Sequence, residues 1–259
     1  MIPPDDLNWQ MSLLFVLAIA LLGFVMKLVA LLLPGARTKT DWRFVLSPLP
    51  APGSMRRAQP LANASRLVLP TLGLAALLVA AYWVYWKLVR TFEIHGIILS
   101  YLAAPFLLLM GYLLAPLVSP FWLPSGRLLP PVHNHPPLMR SVGDFWGRRW
   151  NLWFSDWFRL AIFNRGRQRP VLALILVFAL SGLMHEWVIN VPLWFVTGRF
   201  LFGTMMLYFL LQAVGILVER RFLKGRARWR IAFAWLVVFV PAPLMINEGL
   251  LRALHLWPG

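Results

Sequence analysis

The sequence predicts an all-α, polytopic transmembrane helix bundle of about six spans, with an interfacial amphipathic helix before the fourth. Three observations lead there. Of the 259 residues, 60% are hydrophobic and 13% charged, and mean hydropathy is +0.70; a soluble domain carries about twice that share of charge. Hydrophobic runs recur that are long enough to cross a hydrocarbon core of about 30 Å at about 1.5 Å per residue. The basic residues behind the formal net charge of +16 fall in blocks between those runs. That pattern is one of membrane topology rather than of a nucleic-acid surface, so no nucleic-acid partner is expected.

The spans follow in order. The first covers residues 11–33 and contains Lys27, whose stem is expected to snorkel to the headgroups. No basic residue precedes Lys27, so the run lacks the positive flank of a cleavable leader and is expected to be retained. Residues 34–66 carry six basic residues around Pro48, Pro50 and Pro52 and read as an interfacial loop. The second span, 67–86, ends in Tyr82, Trp83, Tyr85 and Trp86, placed as an aromatic belt. The third is expected over 97–118, with 119–126 as a re-entry or loop. The fourth runs from Val171 to Phe195, the fifth from Phe200 to Val218, and the sixth from Ile231 to Ile246. Pro241 and Pro243 predict a kink or early stop in the sixth, and Asn247 and Glu248 are expected to cap a helix. The chain reads as one integral membrane domain, 1–259.

Loops after the first, third and fifth spans hold 20 Lys and Arg, against 4 on the opposite side. The imbalance places those loops in the cytoplasm and both termini outside.

The segment DFWGRRWNLWFSDWFR precedes the fourth span. On a continuous helix Trp146, Trp150, Trp153 and Trp157 form one stripe, with Arg148, Asn151, Ser155 and Arg159 opposite, which predicts a helix lying in the membrane interface. Inside the fourth span, His185 and Glu186 lie roughly 22 Å of helix rise from Arg169. Ionisable groups at such depth face a bundle interior or a cavity. A neutral imidazole there suits general-base work. Ser181, one turn earlier, is placed to orient a ring nitrogen, and Asn190, one turn after Glu186, to hold its carboxyl. Glu186 itself is expected to be a structural partner. His133 and His135 alternate without a third ligand, so no metal site is expected. The chain lacks cysteine, a Gly-rich phosphate loop and a GxSxG elbow, which excludes disulfides and those nucleophile and nucleotide chemistries.

Over residues 130–190 the runs FWGRRWN and SGLMHE resemble the wax synthase branch of the membrane-bound O-acyltransferases. The resemblance implies transfer of a fatty acyl group from acyl-CoA, as co-substrate, to the hydroxyl of a long-chain alcohol, with no permanently bound cofactor. It implies His185 as base and Asn151 as the group positioning the thioester or the histidine, supported by Trp150, Ser181 and Glu186. Arg148 and Arg149 are placed to meet the CoA phosphates. Two alternatives are transfer of an acetyl group to a lipid or cell-envelope glycan, and a non-enzymatic carrier or assembly subunit with His185 and Glu186 on its path.

Overall fold

The computed structural model describes residues 4–33, 47–50, 56–57, 60–121 and 127–258. The loop expected over 34–66 lies largely outside them, as do residues 122–126 of the expected re-entry. Six long helical stretches form at the six expected places. They are α1 (Pro4–Leu32), α2 (Pro60–Thr91), α3 (Ile97–Val118), the run of α5 (Pro170–His185) and α6 (Val191–Thr197), α7 (Thr204–Phe222) and α8 (Ala227–Phe239). A short helix, α4 (Leu152–Phe158), precedes the fourth stretch, and α9 (Glu248–Ala253) closes the described chain. The only strand pairing among the described residues is antiparallel, Arg56–Arg57 (β1) with Arg127–Leu128 (β2).

Five stretches are long and apolar enough to cross a membrane: Asp6–Leu32, Val68–Thr91, Ile97–Phe121, Pro170–Thr197 and Ala227–Met245. The fifth expected span differs. Its helix, α7, starts four residues later than Phe200 and runs on through Glu219, Arg220 and Arg221. Those charges keep it out of the apolar set, yet its Tyr208, Phe209, Gln212 and Ala213 are buried in the bundle. The sixth stretch breaks as expected, α8 ending at Phe239 and a single turn, Ala242–Met245, following Pro241.

The helix pair that positions everything else is α5 against α7. Gly182 lets the backbones meet, for a Cβ there would lie 2.9 Å from Met206 Cα; without a strong hydrophobic force between helices in lipid, such small residues permit the contact. Gly215 does the same toward Val237, at 2.6 Å from its Cγ1.

Lys27 donates to the carbonyl of Ser47, in the loop that follows its span. Two expectations are corrected. Of the expected belt, Trp83 is exposed, but Tyr85 is buried in the core and donates to the Leu256 carbonyl at 2.6 Å. The tryptophan-rich segment is not one helix. A turn of wider π geometry, Phe145–Arg149, ends at Trp150 in extended backbone, and Asn151 then takes a left-handed conformation at φ 41°, ψ 64° before α4 begins. The break splits the stripe and turns its indoles into the protein. Trp153 and Trp157 are buried and donate to the carbonyls of Pro130 and Met26, at 2.9 and 2.8 Å.

His133 closes the loop that faces this turn. Its ring packs against Gly111, where any Cβ would collide with it, and against Trp150 at 4.3 Å between centroids. Burial pushes its pKa down to about 4, against bonds to the Leu107 and Val132 backbone.

Two outcomes follow. Gly182→Ala lowers stability in detergent by about 1–3 kcal/mol through overpacking, whereas Gly23→Ala, whose added methyl meets open space, does not; thermal unfolding of both variants checks this. Between pH about 6.5 and about 4 the unfolded chain protonates His133 while the folded one does not, so stability is lost as pH falls through that window, by up to about 3 kcal/mol. Unfolding measured at several pH values shows a steeper acid loss for wild type than for His133→Gln.

Candidate active site

The Phe145–Asn151 turn is held from three sides. The loop before it runs alongside, with Asn134 N–H donating to Arg149 O and Leu152 N–H to Val132 O, both at 2.8 Å. His133 Nδ1 accepts from Asn151 N–H at 3.1 Å. Glu219, buried at the end of α7, accepts from Val142 N–H at 2.6 Å and pairs with Arg230 at 2.9 Å. Ser141 caps the first turn by accepting from Asp144 N–H. Burial raises the Asp144 pKa, but the hydrogen bond from Arg149 and the positive charges around it outweigh that and hold the carboxyl below its ordinary value. The left-handed position falls on Asn151, a residue type that tolerates it better than most non-glycine residues.

This geometry leaves Asn151 lining a cavity of about 270 Å³ together with His185. The cavity follows α5 from Leu174 through Val177, Phe178 and Ser181 to His185, a path of about 16 Å at the rise of an α-helix. The opposite wall comes from α7, by Phe209 and Ile216, and the Phe145–Arg149 turn closes it with Trp146 and Gly147. Arg159 and Arg220 stand at the end nearest the start of α5. Both are exposed; the ion pair of Arg159 with Asp156 is solvent-facing and therefore weak.

His185 lies 15 residues after Pro170 and 12 before Thr197 in a continuous helical run, so it sits near the middle of that span. Its Nδ1 is 2.7 Å from the Ser181 carbonyl oxygen. A carbonyl only accepts, so Nδ1 carries the proton and Nε2 keeps a free lone pair. Ser181 thus orients the ring as expected, through its backbone rather than its hydroxyl. Phe209 packs on the ring at 4.5 Å between centroids.

Glu186 points away from the cavity. Its Oε1 accepts from Gly203, Met205 and Met206 N–H, at 2.9, 2.9 and 3.1 Å, and Oε2 from the Asn190 amide at 2.6 Å. It caps the start of α7, the structural partner role expected of it. Asn247 donates to Asn190 at 2.8 Å and caps α9, while Glu248 pairs with Arg252 and Arg199. Trp150 lines the cavity and stacks on His133 and Phe145.

The two arginines singled out by sequence do not line the cavity. Arg149 is tied to Asp144 at 2.6 Å and to the His135 carbonyl at 3.1 Å, and Arg148 is exposed on the same turn. Sequence reasoning missed Arg220 and the roles of Gln212 and Glu219. The signal was the 3.6-residue period of α7, which puts Phe209, Gln212, Ile216 and Arg220 on one stripe. Among the described residues no three His, Asp or Glu converge as metal ligands.

Residues 129–211 match the membrane bound O-acyl transferase family. A probable long-chain-alcohol O-fatty-acyltransferase 9 of Arabidopsis thaliana is 40% identical over 82 residues, covering 26% of this chain and 24% of the relative. The long-chain-alcohol O-fatty-acyltransferase of Simmondsia chinensis is 35% identical over 115 residues, covering 39% and 31%. An acyl-CoA–sterol O-acyltransferase 1 of Arabidopsis thaliana is 33% identical over 111 residues, again 39% and 31%. The chain thus spans less than a third of the length of these relatives. No solved structure matches. Together with the five apolar helices, the match makes this an integral membrane protein. The Asn151 turn, His185 and the start of α7 all fall inside the segment that matches the membrane bound O-acyl transferase family.

Proposed function

We propose that the protein transfers a fatty acyl group from acyl-CoA to the hydroxyl of a long-chain alcohol, with His185 as general base and Asn151 as oxyanion donor. The carrying observation is the single cavity that joins them and runs out to Arg159 and Arg220. The matches to long-chain-alcohol acyltransferases support the same reading.

The chemistry follows from the atoms at hand. With Nδ1 committed to Ser181, Nε2 of His185 takes the proton of the alcohol as its oxygen attacks the thioester carbon. The Asn151 amide donates to the carbonyl oxygen as negative charge develops there. Collapse of the tetrahedral intermediate breaks the C–S bond, the ester forms, and the thiolate recovers the proton from the imidazolium. No covalent enzyme intermediate is required. A thioester on the long pantetheine arm of CoA suits a cavity whose reactive group is about 16 Å from its basic end. Arg159 and Arg220 there complement phosphates, and Arg148, exposed on the turn that lines the wall, adds to that charge. The 20-to-4 asymmetry in basic residues puts this end in the cytoplasm, where acyl-CoA is supplied, and both termini on the other side.

His185→Ala lowers ester formation by about 10²–10⁴-fold while the purified protein keeps its thermal unfolding midpoint. Asn151→Gly, which keeps the left-handed backbone and removes only the amide, lowers kcat by about 10²-fold or more. Retained turnover in either variant, assayed with labelled long-chain acyl-CoA and hexadecanol, refutes the assignment, and incorporation from acetyl-CoA alone refutes the fatty donor. Arg220→Ala raises the KM for acyl-CoA about 5- to 30-fold, the loss of about 1–2 kcal/mol of charge-assisted bonding, and leaves the KM for the alcohol unchanged.

A further inference from the structure

A second cavity, also of about 270 Å³, lies on the other side of the Phe145–Arg149 turn. Its walls come from α3, through Tyr101 and Leu108, from Pro136, and from α8 and the turn after it, through Phe239 and Met245. It is apolar. The two hydroxyls among its lining residues, those of Tyr101 and Tyr208, are spent on the carbonyls of Val240 and Val238, at 2.8 and 3.2 Å. Tyr101 and Phe239 belong to two of the helices apolar enough to cross a membrane, so the cavity lies between two spans.

Only Trp146 and Trp150 line both cavities. Trp150 is pinned, its ring stacked between His133 at 4.3 Å and Phe145 at 5.5 Å. Trp146 has no such stack. Phe145 and Phe178 meet it edge to face, and one hydrogen bond, from its indole N–H to Gln212 Oε1 at 3.1 Å, fixes its angle. Gln212 is fully buried, and its own amide donates to Val237 O at 2.8 Å. An amide placed in an apolar interior and bonded on both ends sets the position of whatever it holds.

We infer that Trp146 determines which acceptor this protein uses: the apolar cavity holds the hydrocarbon chain of the alcohol, and the hydroxyl end reaches His185 past the Trp146 indole. The inference rests on the acyltransferase reading above. Charge assigns the occupant. The His185 cavity carries arginines at its mouth and suits the phosphate-bearing donor, while the second cavity offers no charge and opens between apolar helices, as an uncharged chain requires. Trp146 then stands at the point where the two substrates meet, and its size limits the bulk of the alcohol beside its hydroxyl.

The test compares straight-chain hexadecanol with a ring-bearing sterol alcohol in wild type, Trp146→Ala, Trp146→Phe and Gln212→Leu. In Trp146→Ala the kcat/KM ratio of the ring-bearing to the straight-chain alcohol rises about tenfold or more, the scale on which an apolar pocket discriminates shape. Gln212→Leu moves the ratio the same way, and Trp146→Phe moves it less than Trp146→Ala. The preference among acyl-CoA chain lengths stays as in wild type. An unmoved ratio, or a shift in donor preference instead, overturns the inference. A measurement on the wild type alone does not depend on these variants folding. Hexadecanol bearing a diazirine at its chain end labels Leu108 or Phe239, and excess hexadecanol, but not acyl-CoA, prevents labelling; label found elsewhere, or displaced by acyl-CoA, also overturns it. A wild type that makes no ester with any alcohol refutes the acyltransferase reading itself, whereas an active wild type with an unmoved ratio refutes only the role of Trp146.

Discussion

The carboxylate of Glu186 is the group on which the rest of the structure depends. In the interior of an apolar bundle, backbone N–H groups at the start of a helix have no water to satisfy them. Glu186 accepts from three such groups at the start of α7, and the positive end of the helix in turn stabilises its charge. Asn190 holds the second oxygen and is held by Asn247, the cap of α9. The end of α5, the start of α7 and the start of α9 are thereby drawn to one point. With α7 fixed at that height, Gly182 meets Met206, Phe209 lands on the His185 ring and Gln212 faces Trp146. Both the histidine's surroundings and the wall between the two cavities descend from one buried charge that takes no part in the chemistry proposed for its neighbour.

The second constraint is the left-handed residue between the π turn and α4. Asn151 uses its backbone to reverse the chain and its N–H to satisfy His133, and it also lines the cavity. Conformational tolerance and the chemistry proposed for Asn151 therefore coincide on one residue type. The turn is supported by groups that do not line the cavity: Arg149 through Asp144 and His135 O, and Glu219 through Val142. The basic character of FWGRRW thus divides. One arginine braces the turn, the other faces solvent, and the arginines at the cavity come from other elements.

Periodicity is a sound guide only while the helix continues. The expected stripe of Trp146, Trp150, Trp153 and Trp157 assumed about 100° per residue throughout, and the wider turn at Phe145–Arg149 followed by a left-handed residue breaks that count. Trp153 and Trp157 instead meet carbonyls of Pro130 and Met26, far away in the chain, which no local pattern reports. Where no left-handed residue interrupts the helical run, spacing was reliable, even across the π turn Glu186–Asn190. Ser181 to His185 and Glu186 to Asn190 are each one turn apart and make the contacts that spacing implies.

By itself the sequence determined the apolar helical bundle, the break at Pro241, the burial of His185 with Glu186 inside a span, and the grouping of basic loops, because these follow from composition, helical period and the cost of exposing charge to lipid. Only the tertiary structure decided that Asn151 and His185 share one cavity, that Arg220 rather than Arg149 stands at its basic end, and that Trp146 parts it from a second. Those facts depend on how α7 packs between α5 and α8, and the glycine contacts and buried carboxylates that set this packing join residues remote in the chain.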